Sequence, residues 1–157
     1  MDLRIRPEYG RIRPRQPRAG RKIKNDCVFC AISAGEIPSF KVYEDESFLA
    51  YLDINPCSTG HTLVIPKKHV RNLSEADDET LFSLIVRVRR IAGHIKDALG
   101  ADGFNILQNN GEAAGQSVHH LHFHIVPRYA GSPPLDFKSG KGDMAALAAL
   151  AEKIRIA

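Results

Sequence analysis

The densest chemistry in this chain lies in the run His119-His120-Leu121-His122-Phe123-His124-Ile125-Val126-Pro127, where imidazoles alternate with apolar side chains from His120 onward. Successive side chains of a β-strand point to opposite faces. The pattern therefore predicts His120, His122 and His124 on one face and Leu121, Phe123 and Ile125 on a core face. Same-face neighbours stand about 6.6 Å apart along a strand, close enough for three rings to converge on one bound group. Two chemistries suit that arrangement. The imidazoles could hold a catalytic metal, because alternate strand positions can both ligate one ion. Alternatively, one imidazole attacks phosphorus while its neighbours supply protons and hydrogen bonds. The preceding segment, Asn109-Asn110-Gly111-Glu112-Ala113-Ala114-Gly115-Gln116-Ser117, favours the second chemistry. Its glycines and small residues let backbone amides approach an anion, and Asn109, Gln116 and Ser117 are uncharged donors. The middle histidine, His122, is the candidate nucleophile. It needs a neutral attacking nitrogen and an acceptor, such as a backbone carbonyl, to hold the proton on the other nitrogen.

The elements that must position these groups are legible on either side. Cys27-Val28-Phe29-Cys30 opens an apolar segment that Gly35 to Pro38 breaks, and its two cysteines suit half a metal site, a redox pair or buried small hydrophobes. Residues 41–44 and 48–52 read as a hairpin, with Asp53 at the end of the second strand. Residues 61–66 form a nearly unbroken apolar run, as a central strand would. Ser74 and Asp77 resemble a capping box ahead of a long helix, whose apolar stripe recurs from Leu81 to Leu99 until Gly100 ends it. That stripe is core or a subunit contact, and His94 falls among its polar positions as a surface residue. Residues 104–108 should pair antiparallel with the histidine strand, and a helix over 143–154 closes the chain.

The 157 residues, 43% hydrophobic and 25% charged, suffice for one globular domain and leave no room for a second. Charge is unevenly spread: residues 1–24 carry nine Lys or Arg against Asp2 and Glu8, and the remainder is net acidic. With Pro7, Pro14 and Pro17 and few apolar residues, 1–24 is expected to be a disordered basic tail. Such a tail could touch nucleic acid, although no nucleic-acid partner is expected. The single domain then spans 25–157, with its core over 26–128 and a C-terminal extension over 130–157. No window reaches transmembrane length, the tail lacks the apolar centre of a secretory signal, and three cysteines are too few for a disulfide framework. A cytoplasmic setting without a membrane partner follows.

The motif Gly115-Gln116-Ser117-Val118, followed by His120-Leu121-His122-Phe123-His124-Ile125-Val126, resembles the histidine triad signature of the HIT superfamily of nucleotide hydrolases and transferases. Cys27-Val28-Phe29-Cys30, Gly35-Glu36-Ile37-Pro38, Leu52-Asp53-Ile54 and Gly60-His61-Thr62-Leu63-Val64-Ile65-Pro66-Lys67-Lys68-His69 fall in the family's order. The resemblance implies an α+β, HIT-like fold, an antiparallel sheet of about five strands with one long helix packed on it, in a homodimer. It makes His122 the nucleophile on the α-phosphorus of a purine nucleotide conjugate, with His124 and His120 completing the triad. His124, Ser117, Asn109, Gly115 and Gln116 would bind the phosphate, and Asp53 would accept from ribose hydroxyls. Phe29, Ile37, Tyr51 and Ile54 would wall the base, and His61 would line the same site. The resemblance further implies a structural zinc site of Cys27, Cys30, His69 and His120, closed to water. The expected reaction is hydrolysis of a nucleoside phosphoramidate, releasing AMP or GMP. Cleavage of dinucleoside polyphosphates is the alternative reaction, and a non-catalytic nucleotide- or zinc-binding interaction module is the alternative class. His119, on the opposite face, receives no catalytic role, and Cys57 stays unpartnered.

Overall fold

The computed structural model describes residues 27–137 and 140–156; the basic tail expected over 1–24 lies outside them. Five strands form one antiparallel sheet in the order β1-β2-β3-β5-β4: β1 Lys41–Glu44, β2 Phe48–Leu52, β3 Thr62–Pro66, β4 Gly103–Leu107 and β5 Phe123–Arg128. Among the described residues three α-helices accompany it, α1 Val28–Ser33, α2 Asp78–Leu99 and α3 Met144–Ile154, giving the α+β class expected.

Two-residue periodicity sorts the sheet into its two faces. Phe48, Ala50 and Leu52 of β2, Val64 of β3 and Ile125 of β5 pack with Leu84, Val88, Ile91 and Ile95 of α2 and Leu147, Ala151 and Ile154 of α3. Leu49, Tyr51, Leu63 and Ile65 fall on the other face, against Phe29 and Ile32 of α1. Helices thus cover both faces of β2 and β3, all of whose residues are buried, which is why these strands read as unbroken apolar runs.

Helix α2 starts later than the Ser74 motif suggests. Asp77 is its N-cap, with Oδ1 accepting from the Thr80 N–H at 2.7 Å, and Asn72 caps the separate 3-10 turn Leu73–Glu75. A carboxylate at the N-cap gains both the hydrogen bond and the helix dipole, so Asp77 takes the position from Ser74. Gly100 ends the helix at φ 62°, as expected. His94 is exposed yet not idle. Its Nε2 lies 3.1 Å from the Ile154 carbonyl oxygen and ties α2 to the end of α3.

The histidine run departs from the single strand expected of it. β5 begins at Phe123, and His120, Leu121 and His122 lie in irregular chain before it. Here the backbone leaves the ladder to meet another segment, with the Leu121 N–H donating to the Val70 carbonyl at 2.6 Å. Within the strand the register pairs His124 with Leu63, which places His124 on the α1 face of the sheet.

Candidate active site and metal centre

On the α1 face a cavity of about 750 Å³ opens between α1, the end of β2 and the loop before the histidines. Val28, Phe29, Ile32, Ile37, Tyr51, Ile54 and Leu63 give it an apolar wall, and Asp53, Asn109, Gly115, Ser117, His122 and His124 supply polar groups. A largely apolar concavity with a few converging polar groups is the usual form of a small-molecule site. Of the residues expected here, Phe29, Ile37, Tyr51, Ile54, Asp53, Asn109, Gly115, Ser117, His122 and His124 line the cavity. The Tyr51 hydroxyl is buried with no hydrogen-bond partner among the described residues.

His120, Gln116 and His61 do not line it. Gln116, only 2% exposed, braces the loop from behind: its Oε1 accepts from the Gly111 N–H at 2.8 Å, and its Nε2 donates to the Arg71 and Val118 carbonyls at 2.6 and 3.0 Å. Its amide is fully engaged by backbone, so it shapes the loop that carries Gly115 and Ser117. Gly115 takes a left-handed conformation at φ 83°, where a glycine turns the chain without strain.

His122 is set for one tautomer. Its Nδ1 lies 2.7 Å from the His120 carbonyl oxygen, which can only accept, so the ring proton sits on Nδ1 and Nε2 is bare. Burial lowers the pKa of His122, against the opposing pull of that carbonyl and of Asp53, and so favours the neutral ring.

Behind it runs a second chain of imidazoles. The Cys57 N–H donates to His61 Nδ1 at 3.3 Å, and the Cys57 Sγ lies 3.4 Å from the same atom. Burial pushes His61 down to about 4, so the ring is neutral and carries its proton on Nε2. That nitrogen lies 2.9 Å from His124 Nδ1, which must accept, leaving the proton of His124 on its own Nε2. Burial, with His122 and His61 adding to it, also holds His124 down at about 4. Asp53 Oδ2 stands 3.7 Å from His61 Nε2, and burial raises the carboxyl's pKa. Asp53, His61 and His124 sit close enough to suggest a metal trio. The Cys57 N–H donated to His61 Nδ1 argues for a proton chain instead, since it leaves the ring proton on Nε2 and that nitrogen unavailable as a ligand. His61 thus stands behind the cavity wall as a support for His124, and Cys57, unpartnered in the sequence reading, holds the far end.

His120 turns away to a different group. Its Nε2 donates to the Pro66 carbonyl at 2.8 Å, leaving Nδ1 bare and facing Cys27 Sγ at 3.4 Å and Cys30 Sγ at 3.5 Å. His69 Nδ1 lies 3.2 Å from Cys30 Sγ, and the four residues have their ligand atoms within 4.8 Å of one another. A tetrahedral site with metal–sulfur bonds of about 2.3 Å and metal–nitrogen bonds of about 2.0 Å has sulfur–nitrogen edges of about 3.5 Å, so this donor set fits a metal. A carbonyl behind a ligating imidazole is the usual orienting partner. The three rings therefore do not converge on one group: His122 and His124 face the cavity, and His120 faces the cysteines. His119 is exposed, with Nε2 3.3 Å from Glu112 Oε1.

Aromatic rings flank the two cavity histidines. Phe29 packs edge-on to His122 at 5.2 Å between centroids, His122 to His124 at 5.0 Å, and His124 to Phe137 at 5.3 Å. Phe137 was not foreseen, because it lies in a Pro-rich connection without periodicity.

Comparison with known proteins agrees with this fold. The HIT domain model matches residues 34–131. An adenylylsulfatase of Arabidopsis thaliana is 48% identical over 106 residues, which are 68% of this chain and 54% of that protein. An adenosine 5'-monophosphoramidase of Schizosaccharomyces pombe is 44% identical over 102 residues, 65% of this chain and 74% of that protein. The crystal structure of a zinc-bound histidine triad family protein from Mycobacterium smegmatis superposes with a TM-score of 0.71 at 42% identity, covering 82% of this chain and 95% of that one. No helix among the described residues is long and apolar enough to cross a membrane. With the domain model matching residues 34–131, relatives at 44–48% identity and a shared fold, the chain belongs to the HIT domain family.

Proposed function

We propose that this protein hydrolyses purine nucleotide conjugates at the α-phosphorus, nucleoside phosphoramidates first among them, through a covalent intermediate on His122. The observation that carries the reading is the His122 tautomer with a bare Nε2, on a residue lining a cavity whose wall is largely apolar and whose polar groups include Asp53, Asn109 and Ser117. His122 Nε2 forms a bond to phosphorus as the bond from phosphorus to the leaving amine breaks, and the amine takes up a proton from solvent through the Ser117 hydroxyl. Water then attacks phosphorus, its proton returning by the same route. The phosphorus–His122 bond breaks, its electron pair goes back to Nε2, and nucleoside monophosphate leaves. The His124 Nε2–H, Asn109 and the Gly115–Ser117 backbone stabilise the added negative charge. Asp53 accepts from ribose hydroxyls, and Phe29, Ile37, Tyr51 and Ile54 hold the base. The adenosine 5'-monophosphoramidase and adenylylsulfatase relatives support cleavage at an adenylyl phosphorus.

Cys27, Cys30, His69 and His120 would hold zinc, which closes this donor set as a structural tether and supplies no chemistry to the reaction. Its value is positional: it fastens α1, and with it Phe29, to the residue whose carbonyl orients His122. The zinc-bound Mycobacterium smegmatis relative supports the choice of metal. A homodimer is the proposed assembly. Among the described residues β4 pairs with β5 alone and presents exposed Phe104 and Ile106 at the sheet edge, a surface that a second copy would cover. The free cysteines Cys27, Cys30 and Cys57 suit a reducing cytoplasm.

The test is hydrolysis of adenosine 5'-phosphoramidate by wild type and His122→Ala, with intact mass after rapid quench. Turnover with a transient nucleotidyl adduct, both lost in the variant, is the expected result. Nucleotide binding without turnover or adduct, on this substrate and on dinucleoside polyphosphates alike, would favour the binding module.

A further inference from the structure

Cys57 belongs neither to the cavity lining nor to the cysteine–histidine group, yet it ends the chain of imidazoles that reaches the cavity. The turn that carries it is fixed from several sides. The Ser58 hydroxyl donates to the Pro127 carbonyl at 2.6 Å, the His61 N–H to the Ser58 carbonyl at 3.0 Å, and the Tyr129 hydroxyl to the Thr59 carbonyl at 3.2 Å. Gly60, at φ 88°, passes so close to α2 that a Cβ there would lie 2.5 Å from Leu99 Cδ1. A turn held this way offers residue 57 to the His61 ring in one arrangement. Both of its donors meet the same nitrogen, the backbone N–H at 3.3 Å and the thiol at 3.4 Å from Nδ1. Burial raises the pKa of that thiol, so the sulfur keeps a proton to donate at neutral pH. Cys57 also borders a separate cavity of about 410 Å³, with Pro56, Ser58, Thr59 and Asp143, where a slightly larger side chain has room.

We propose that Cys57 is a positioning residue: it sets the direction in which His61 and His124 carry their protons, and so decides whether His124 Nε2 meets the cavity as a donor or as a bare nitrogen. A neutral imidazole has one donating and one accepting nitrogen, so the tautomer of His61 fixes that of His124 across their 2.9 Å contact. Donors at residue 57 leave the His61 proton on Nε2, and His124 then keeps its own on Nε2. A side chain at 57 that can only accept reverses each step, drawing the protons to Nδ1 of both rings and leaving His124 Nε2 bare. Asp53 Oδ2 opposes that reversal only weakly, since it stands 3.7 Å from His61 Nε2, beyond a hydrogen bond. The catalytic consequence rests on the hydrolase reading above, because a bare nitrogen cannot stabilise negative charge added at phosphorus; the proton direction itself does not rest on it.

Asp and Asn at this position have the same shape and opposite capacity to donate, so the pair separates proton direction from packing. Ring 1H–15N correlation spectra of the full chain at neutral pH read the tautomers directly. Wild type and Cys57→Asn should carry the proton on Nε2 of both His61 and His124, and Cys57→Asp should carry it on Nδ1 of both. With adenosine 5'-phosphoramidate, Cys57→Asp should lower kcat about 10²-fold, while Cys57→Asn and Cys57→Ser stay within about threefold of wild type. Adenosine, which lacks the phosphate, should bind all four chains alike and so report an intact cavity. A proton on Nδ1 of either ring in wild type would overturn the proposal without recourse to any variant. Wild-type protonation in a folded Cys57→Asp, equal losses in the Asp and Asn chains, or reversed protons with unchanged kcat would each overturn it too. If wild type shows the expected protons but cleaves no nucleotide conjugate, the hydrolase reading falls, and the spectra of Cys57→Asp still decide whether residue 57 sets the direction.

Discussion

His122 and His120 are joined across a single intervening residue, with His122 Nδ1 2.7 Å from the His120 carbonyl oxygen. The same residue whose ring faces Cys27 and Cys30 therefore orients, through its backbone, the ring that faces the cavity. Replacing His122 with alanine should lower kcat by at least about 10³-fold and abolish the adduct, with nucleotide binding largely kept. Rapid-quench mass spectrometry and equilibrium binding of adenosine monophosphate measure the two effects. Residual turnover above a few per cent of wild type would exclude His122 as the nucleophile.

The cysteine–histidine group should contain one zinc ion per chain by elemental analysis of protein purified without chelator. Cys30→Ser should lose the metal and lower the melting temperature. It should also reduce turnover, because α1 and the His120 backbone lose their common anchor. Burial and the adjacent Cys27 push the Cys30 thiol up to about 11, so metal uptake should release protons, measurable as a buffer-dependent heat in titration calorimetry.

His61 is expected to support catalysis without lining the cavity. Removing its Nε2–H in His61→Ala leaves His124 Nδ1 without a donor and frees the ring to change tautomer. The expected loss is about 10- to 100-fold in kcat with little change in the dissociation constant for adenosine monophosphate. A change confined to binding would place His61 in the nucleotide site after all.

Stability should fall on acidification through a defined window. His61 and His124 are held down at about 4 in the fold, by burial in both and by neighbouring histidines in His124, whereas the ordinary value is 6.5. Between those values the unfolded chain takes up protons that the folded chain refuses, so unfolding becomes easier as pH drops from 6.5 towards 4. Below about 4 both states are protonated and this contribution levels off. Scanning calorimetry at pH 7, 6 and 5 should give successively lower melting temperatures, and a melting temperature that rises over that range would contradict the neutral pair.

Gln116→Ala removes the bonds that shape the loop carrying Gly115 and Ser117 and leaves the Gly111 N–H and the Arg71 carbonyl without their side-chain partner. The cost should be about 1–3 kcal/mol of stability by denaturant titration, with KM rising more than kcat falls. A purely catalytic defect at unchanged stability would mean that Gln116 reaches the substrate.

Alternation and turn chemistry determined much of this protein from the sequence alone. The hairpin, the central strand, the long helix ended by Gly100 and the closing helix are all governed by local periodicity and caps. The four metal-fitting residues and the cavity residues from Phe29 to His124 were legible through the resemblance to the HIT family, whereas spacing alone left the cysteine pair open between a metal site, a redox pair and buried small hydrophobes. What the tertiary structure decided is where each side chain turns once its segment meets another. The Pro66 carbonyl and the two cysteines draw His120 away from the cavity, because β5 has not yet begun there. Gln116 looked like a phosphate donor until three backbone groups engaged its amide. His61 became a second layer behind His124, and Ser74 lost the helix cap to Asp77. Phe137 carried no sequence signal, since an aromatic in an aperiodic connection is placed only when the chain around it folds against the cavity.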